Sequence, residues 1–145
     1  AKVALSLSDP WCAERHRAAL RDFTANHVSI LFGNEEEVAS LCHGEVNNAI
    51  SVLSGMIDEV VVTRGAKGAF VGARENSYEI PAMPQGAVID TTGAGDWFAA
   101  GYLFGRTNSF DLLQSGRLAS LAAGEIISHI GARPKINLKG LSEGL

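Results

Sequence analysis

Short β-rich apolar runs alternate with helical stretches along this chain, and that alternation restricts the fold more than any other feature. "KVALSLSD" reads as a buried strand, and "DPWCAERHRAALRDFTAN" follows as a helix with Asp9 as N-cap and Pro10 in its first turn. "VSILFG" is a second strand. Asn34 then caps "EEEVASLCHG", whose glutamates suit the positive end of a helix dipole, and "EVNNAISVLSGM" is expected to form another helix ending near Gly55. "DEVVVTRG", rich in Val and Thr, is the strongest strand signal. "GAFVGARE" and "NSYEIPAM" predict an antiparallel hairpin, and "AVID" one more brief strand. The pattern turns helical from Gly93 to about Arg106, and "DLLQSGRLASLAAGEIISHIG" predicts a final long helix. Strands alternating with helices imply an α/β fold: a mostly parallel sheet with right-handed crossovers and covering helices. With no internal repeat or low-complexity linker, residues 1–145 are expected to form a single domain.

Composition narrows the function classes. A chain of 145 residues has room for a respectable core, since about this length buries roughly 70% of its unfolded surface. The formal net charge of −4 argues against nucleic acid or an anionic membrane surface as a partner, because both select a basic face. An anion bound here must be held locally. Cys12 and Cys42 lack the close spacing of a zinc or redox motif and read as buried or idle thiols in a reducing compartment. His16, His27, His43 and His129 show no metal-ligand spacing. Ala1 to Ser8 has no signal-peptide pattern, and no apolar run reaches the roughly 18 residues of a membrane span, so the expected location is the cytoplasm. The first residue is not Met and the chain opens directly into a core-like strand, which reads as a piece of something longer.

The segment "DTTGAGDWFAAG", Asp90 to Gly101, sets an acid, two hydroxyls and a Gly-Ala-Gly turn directly before an apolar helix. If the strand ends at Ile89 or Asp90 and the helix starts near Gly95, "TTGAG" lies at a helix N-terminus. Unpaired N–H groups and the helix dipole there favour an anion, and Gly lets the backbone approach a phosphate. Asp96 at the same place would repel such a ligand unless it has chemistry to do. It could accept a proton from an attacking hydroxyl while the amides steady a transferring phosphoryl group. Alternatively, it is a first-turn acid that favours the dipole, and spacing alone leaves both readings open.

"DTTGAGDWFAAG" resembles the C-terminal signature of the ribokinase-like (PfkB) carbohydrate kinases, the family that also contains adenosine kinase and fructokinase. It matches every fixed position of Asp-Thr-x-Gly-Ala-Gly-Asp-x-Phe. Two further segments agree in order: "NEEE" is similar to the family's Asn-x-x-Glu element at Asn34 and Glu37, and "TRGAKGA" to its Thr-x-Gly-x-x-Gly nucleotide loop at Thr63, Gly65 and Gly68. "SILFGNEEE" and the ending "GARP" resemble the adenosine kinase and ribokinase side of the family.

The resemblance implies a three-layer α/β/α fold and ATP-dependent phosphoryl transfer to a sugar or nucleoside hydroxyl. Asp96 would be the catalytic base, and Gly93, Ala94 and Gly95 the anion hole for the γ-phosphate. Glu37 with Asn34 would act through water on Mg²⁺ and the phosphates, since a hard cation keeps much of its hydration. Thr63, Gly65 and Gly68 would line the nucleotide's phosphate and ribose side. Asp90 and the Thr92 carbonyl would belong to the monovalent-cation site, usually filled by K⁺. Arg64 lies within the nucleotide loop, with phosphate contact and plain solvation both open.

Structural alternatives accompany these roles. Asn34 and Glu37 fit a capping box. Gly65 and Gly68 could serve only the turn into the hairpin, and Asp90 only brace its loop. Trp97 reads as packing or a pocket wall, and the small residues of "GRLASLAAG" as a close helix contact or a surface for a flat base. Family members run to roughly 300 residues with a small β-sheet lid, and the resemblance covers their C-terminal half. The other half would carry the first strands, the sugar-binding signature and the lid that often makes a homodimer. The expectation is the nucleotide-binding half of such a kinase. The alternative is a non-catalytic nucleotide-binding fragment, and among enzymes fructokinase-like specificity stays open. No Gly-x-x-x-x-Gly-Lys-Ser/Thr or dinucleotide fingerprint occurs.

Overall fold

A computed structural model describes residues 1–143. Its strands are β1 (Ala4–Ser6), β2 (Ile30–Asn34), β3 (Glu59–Thr63), β4 (Ala69–Ala73) and β5 (Ser77–Ile80). Its helices are α1 (Pro10–Arg15), α2 (Arg17–His27), α3 (Glu35–Cys42), α4 (Val46–Met56), α5 (Ala94–Thr107) and α6 (Leu112–Ile126), with short 3₁₀ turns at Gly65–Lys67 and Leu138–Ser142. The strands lie in the order β1-β2-β3-β4-β5. β1 pairs with β2 and β2 with β3 in parallel, Leu31 opposite both Leu5 and Val60. The mostly parallel α/β fold expected from the alternation is present.

The described residues divide into two compact units, Ala1–Arg64 with Phe70–Ser77, and Gly65–Ala69 with the chain from Tyr78 onward. In the first unit, Leu31, Val60 and Val62 of the sheet meet Val38 and Leu41 of α3, Ala49 and Leu53 of α4, and Ala13 of α1. Ile30, Phe32 and Val61, whose side chains point to the other face, are buried too. A parallel strand buried on both sides needs this continuous apolar run, and each such Val or Leu contributes about 1.5–3 kcal/mol.

Local chemistry sets the element ends. Asp9 caps α1 as expected, its Oδ1 accepting the Trp11 N–H at 3.0 Å, with Pro10 in the first turn. The single helix expected over 9–26 is instead two: His16 leaves helical geometry between α1 and α2, and Arg17 Nε donates to the Ser40 carbonyl at 2.8 Å. The hairpin loop between β4 and β5 is closed by the Ala73 N–H on the Asn76 carbonyl at 2.8 Å, a connection short enough only for antiparallel strands.

In the second unit, α5 and α6 pack closely through small residues. A Cβ at Gly101 would stand 2.9 Å from Ala119 Cα, and one at Gly105 2.9 Å from Ser115 Cα, so the small residues of "GRLASLAAG" serve helix contact. The strand expected at "AVID" is absent. The segment from Pro81 to Asp90 lies as coil along α6: Gln85 N–H donates to Gly124 O at 3.3 Å, and Ile89 N–H to Ile127 O at 2.8 Å. These donors satisfy carbonyls at the helix end that have no intrahelical partner, and Val88 and Ile89 stay more than half exposed. The last helix stops at Ile126, short of the expected Gly131.

Candidate active site

The turn that opens α5 is built around Asp90. Its Oδ1 accepts the Thr92 N–H at 2.9 Å, an Asx turn, and its Oδ2 accepts the Gly131 N–H at 3.1 Å. The Thr92 hydroxyl, then the Thr92 and Gly131 amides, hold the Asp90 carboxyl below the usual carboxylate value, with a smaller contribution from His129. Asp90 therefore braces the loop.

Gly93 is the N-cap of α5, with φ +81° in the left-handed region. A Cβ there would lie 2.7 Å from the Ala132 Cβ, so glycine is required by conformation and by space. The Ala94 N–H is engaged by the Thr91 carbonyl at 3.1 Å. Among the described residues no acceptor takes the N–H of Gly93, Gly95 or Asp96. The free donors thus include Gly93 and Gly95 of the expected anion hole, while Ala94 serves the turn. Asp96 stands exposed in the first turn of α5, where the dipole favours its charge.

The segment after α6 backs this turn. Trp97 Nε1 donates to the Ala132 carbonyl at 2.8 Å, so Trp97 clamps the chain, and its side chain also lines a cavity. Gly131, with φ +94°, presents its N–H to Asp90. In the sequence, residues 131–132 stand out only as part of "GARP", and only the glycine signals a special backbone.

The other motif residues fall as follows. Asn34 and Glu37 form the full capping box of α3: Asn34 Oδ1 accepts the Glu37 N–H at 2.8 Å, and Glu37 Oε2 accepts the Asn34 N–H at 2.9 Å. Glu37 is buried. Thr63 ends β3, half-buried, with Arg64 next. Gly65 and Gly68 close the 3₁₀ turn, Gly68 N–H donating to Gly65 O at 3.0 Å. Gly68 has φ +88°, and a Cβ on it would overlap the Ile80 carbonyl. Asn34, Glu37 and Thr63 belong to the first compact unit, and Gly65, Gly68 and Asp90 through Asp96 to the second. Both cysteines are free thiols, and burial pushes Cys42 up. Among the described residues there is no His, Cys, Asp and Glu cluster able to hold a metal, and no helix long and apolar enough to cross a membrane.

Known proteins resemble this chain over most of its length. A nucleoside kinase of Methanocaldococcus jannaschii is 29% identical over 113 residues, which cover 76% of this chain and 36% of that protein. A crystal structure of a probable sugar kinase from Rhizobium etli CFN 42 superimposes with a TM-score of 0.93 at 33% identity, over 98% of this chain and 44% of that one. Adenosine kinase from Sinorhizobium meliloti superimposes with a TM-score of 0.92 at 33% identity, over 97% of this chain and 44% of that one. The chain spans less than half the length of each. These likenesses are to the ribokinase-like α/β fold. With pfkB family carbohydrate kinase matched from residue 1 to residue 138, the chain belongs to that family.

Proposed function

We propose that the chain is the phosphate-handling part of an ATP-dependent kinase that phosphorylates a hydroxyl of a nucleoside or sugar. The observation that carries this reading is the α5 N-terminus, where the uncommitted amides of Gly93 and Gly95 stand in one turn with the exposed carboxylate of Asp96. Phosphoryl transfer asks mainly for positioning and charge stabilisation, which amides at a helix N-terminus supply. Asp96 takes the proton of the acceptor hydroxyl, and the Gly93 and Gly95 amides hold the charge on the transferring group. Ala94 joins them if its bond to Thr91 opens. Thr63, Gly65 and Gly68 line the nucleotide.

Oxygen donors suit both cations. Glu37 has one carboxylate oxygen committed to the cap, and the other, with Asn34, would hold Mg²⁺ through water. When bound, Mg²⁺ neutralises phosphate charge. Asp90 and the Thr92 carbonyl would hold K⁺. Two of the relatives above are named nucleoside or adenosine kinases, which favours a nucleoside acceptor, and comparing adenosine with ribose and fructose tests this. Because the chain spans less than half of these relatives, a second reading stands beside the first: a module that binds nucleotide and does not turn over by itself.

Asp96→Asn in the active kinase tests the assignment. Turnover is expected to fall by on the order of 10²–10⁴ with ATP affinity largely kept. Unchanged turnover would remove Asp96 from the chemistry.

A further inference from the structure

Glu125, near the end of α6, is a buried carboxylate that the proposed reaction does not use. It is 4% exposed, and a single oxygen, Oε1, carries two bonds: His129 Nε2 at 3.1 Å and the Lys135 N–H at 2.9 Å. Its other oxygen, Oε2, is buried with no hydrogen-bond partner. A buried carboxylate with an unsatisfied oxygen is a poor stabilising device, since desolvation offsets much of what its bonds return. Its placement suggests another use.

His129 and Lys135 are the two ends of one strap, and one carboxylate oxygen ties both down. The middle of that strap touches the turn that opens α5 at three points. Gly131 N–H binds Asp90 Oδ2, the Ala132 carbonyl receives Trp97 Nε1–H, and the Ala132 methyl occupies the space a Gly93 side chain would need. Displacing the strap would therefore release Asp90 and the backing of Gly93 together.

We propose that Glu125 is a positioning residue which, through the His129–Lys135 strap, holds the Asp90–Gly93 turn in the geometry that receives phosphate. This rests on the reading of the α5 N-terminus as a phosphate site.

Trp97 supplies a readout independent of turnover, because its indole N–H bonds the strap. Trp11 is 62% exposed and removed from the strap in sequence, so Trp11→Phe leaves Trp97 as the one indole signal. The experiment records the indole ¹H–¹⁵N resonance and its solvent exchange for Glu125, Glu125→Ala and Glu125→Gln in the 145-residue chain, well below each melting temperature, together with ATP titrations. Gln keeps a carbonyl oxygen for both donors. Glu125→Ala should move the resonance, speed exchange about tenfold or more, and weaken ATP about tenfold, with Gln restoring both. If Glu125→Ala does not fold, His129→Ala, which removes one tie, should give the same changes in smaller measure.

An indole signal unmoved in folded Glu125→Ala or His129→Ala overturns the proposal, as does a moved signal with ATP affinity unchanged. Failure of Gln to restore what Ala removes also overturns it. A parent chain that binds no ATP counts against the kinase reading instead, and the indole signal alone then decides whether Glu125 positions the turn.

Discussion

Gly93 and Gly95 sit two positions apart in the same turn and should respond to substitution in opposite ways. Gly93 combines φ +81° with Ala132 directly against it, so Gly93→Ala meets both backbone strain and a 2.7 Å contact. The strain alone is worth about 1–3 kcal/mol, and a lower melting temperature is the expected result. At Gly95 a Cβ would have no atom within 4 Å, so a larger side chain there should fold normally while obstructing whatever approaches the amides. Asp90 adds a pH signature. Its folded value is lowered, so its stabilising contribution is present above the usual carboxylate range and lost as pH falls through the folded value. Melting followed from neutral to strongly acidic pH should show a smaller acid loss for Asp90→Asn than for the parent. At this scale the motif reads as the approach to a helix, and α5 does begin there, with Gly93 as N-cap, Asp90 in the turn before it and Asp96 in its first turn. It could not disclose Glu125, whose partners His129 and Lys135 are joined by a fold-dependent loop rather than by a recognised spacing.

The elements follow local signals where those signals are self-sufficient. Asp9-Pro10, the Asn34–Glu37 box and the Asp111–Gln114 box each start a helix with their own side chains. Legibility fails where a distant partner decides. At "AVID" the β-branched residues suit a strand, but the N–H groups of Ile89 and Asp90 find the Ile127 carbonyl, and no strand forms. The same applies at His16, where the neighbouring Arg17 reaches Ser40 on another helix. The contact of α5 with α6 offers the sharpest test at this scale. Gly105→Ala would gain up to about 1 kcal/mol in helix propensity, yet its Cβ meets Ser115 Cα at 2.9 Å, a backbone atom that cannot rotate away. Overpacking at about 1–3 kcal/mol should win, and the denaturation midpoint should fall. A rise would mean that the helices can separate slightly without loss.

Across the whole molecule, the motif residues distribute unequally between the two compact units. The Gly65–Gly68 turn and the α5 N-terminus belong to the second, whereas Asn34 and Glu37 belong to the first. Under the proposed function the two motifs have different tasks, and each can be tested by itself. Affinity for the phosphates should reside in the second unit's amides, and dependence on Mg²⁺ in the first unit's Glu37. Calorimetric titration of the chain with ATP, in K⁺ with and without Mg²⁺, distinguishes them. Asp96→Asn should bind ATP at least as well as the parent, since it removes a negative charge beside the phosphates. Gly95→Leu should lose binding while melting like the parent, because its side chain enters open space. Glu37→Gln keeps an oxygen able to accept the Asn34 N–H, so α3 should survive, and the enhancement of binding by Mg²⁺ should shrink. Equal loss of Mg²⁺-free binding in Glu37→Gln and Gly95→Leu would contradict this division and make phosphate affinity a joint property of both motifs.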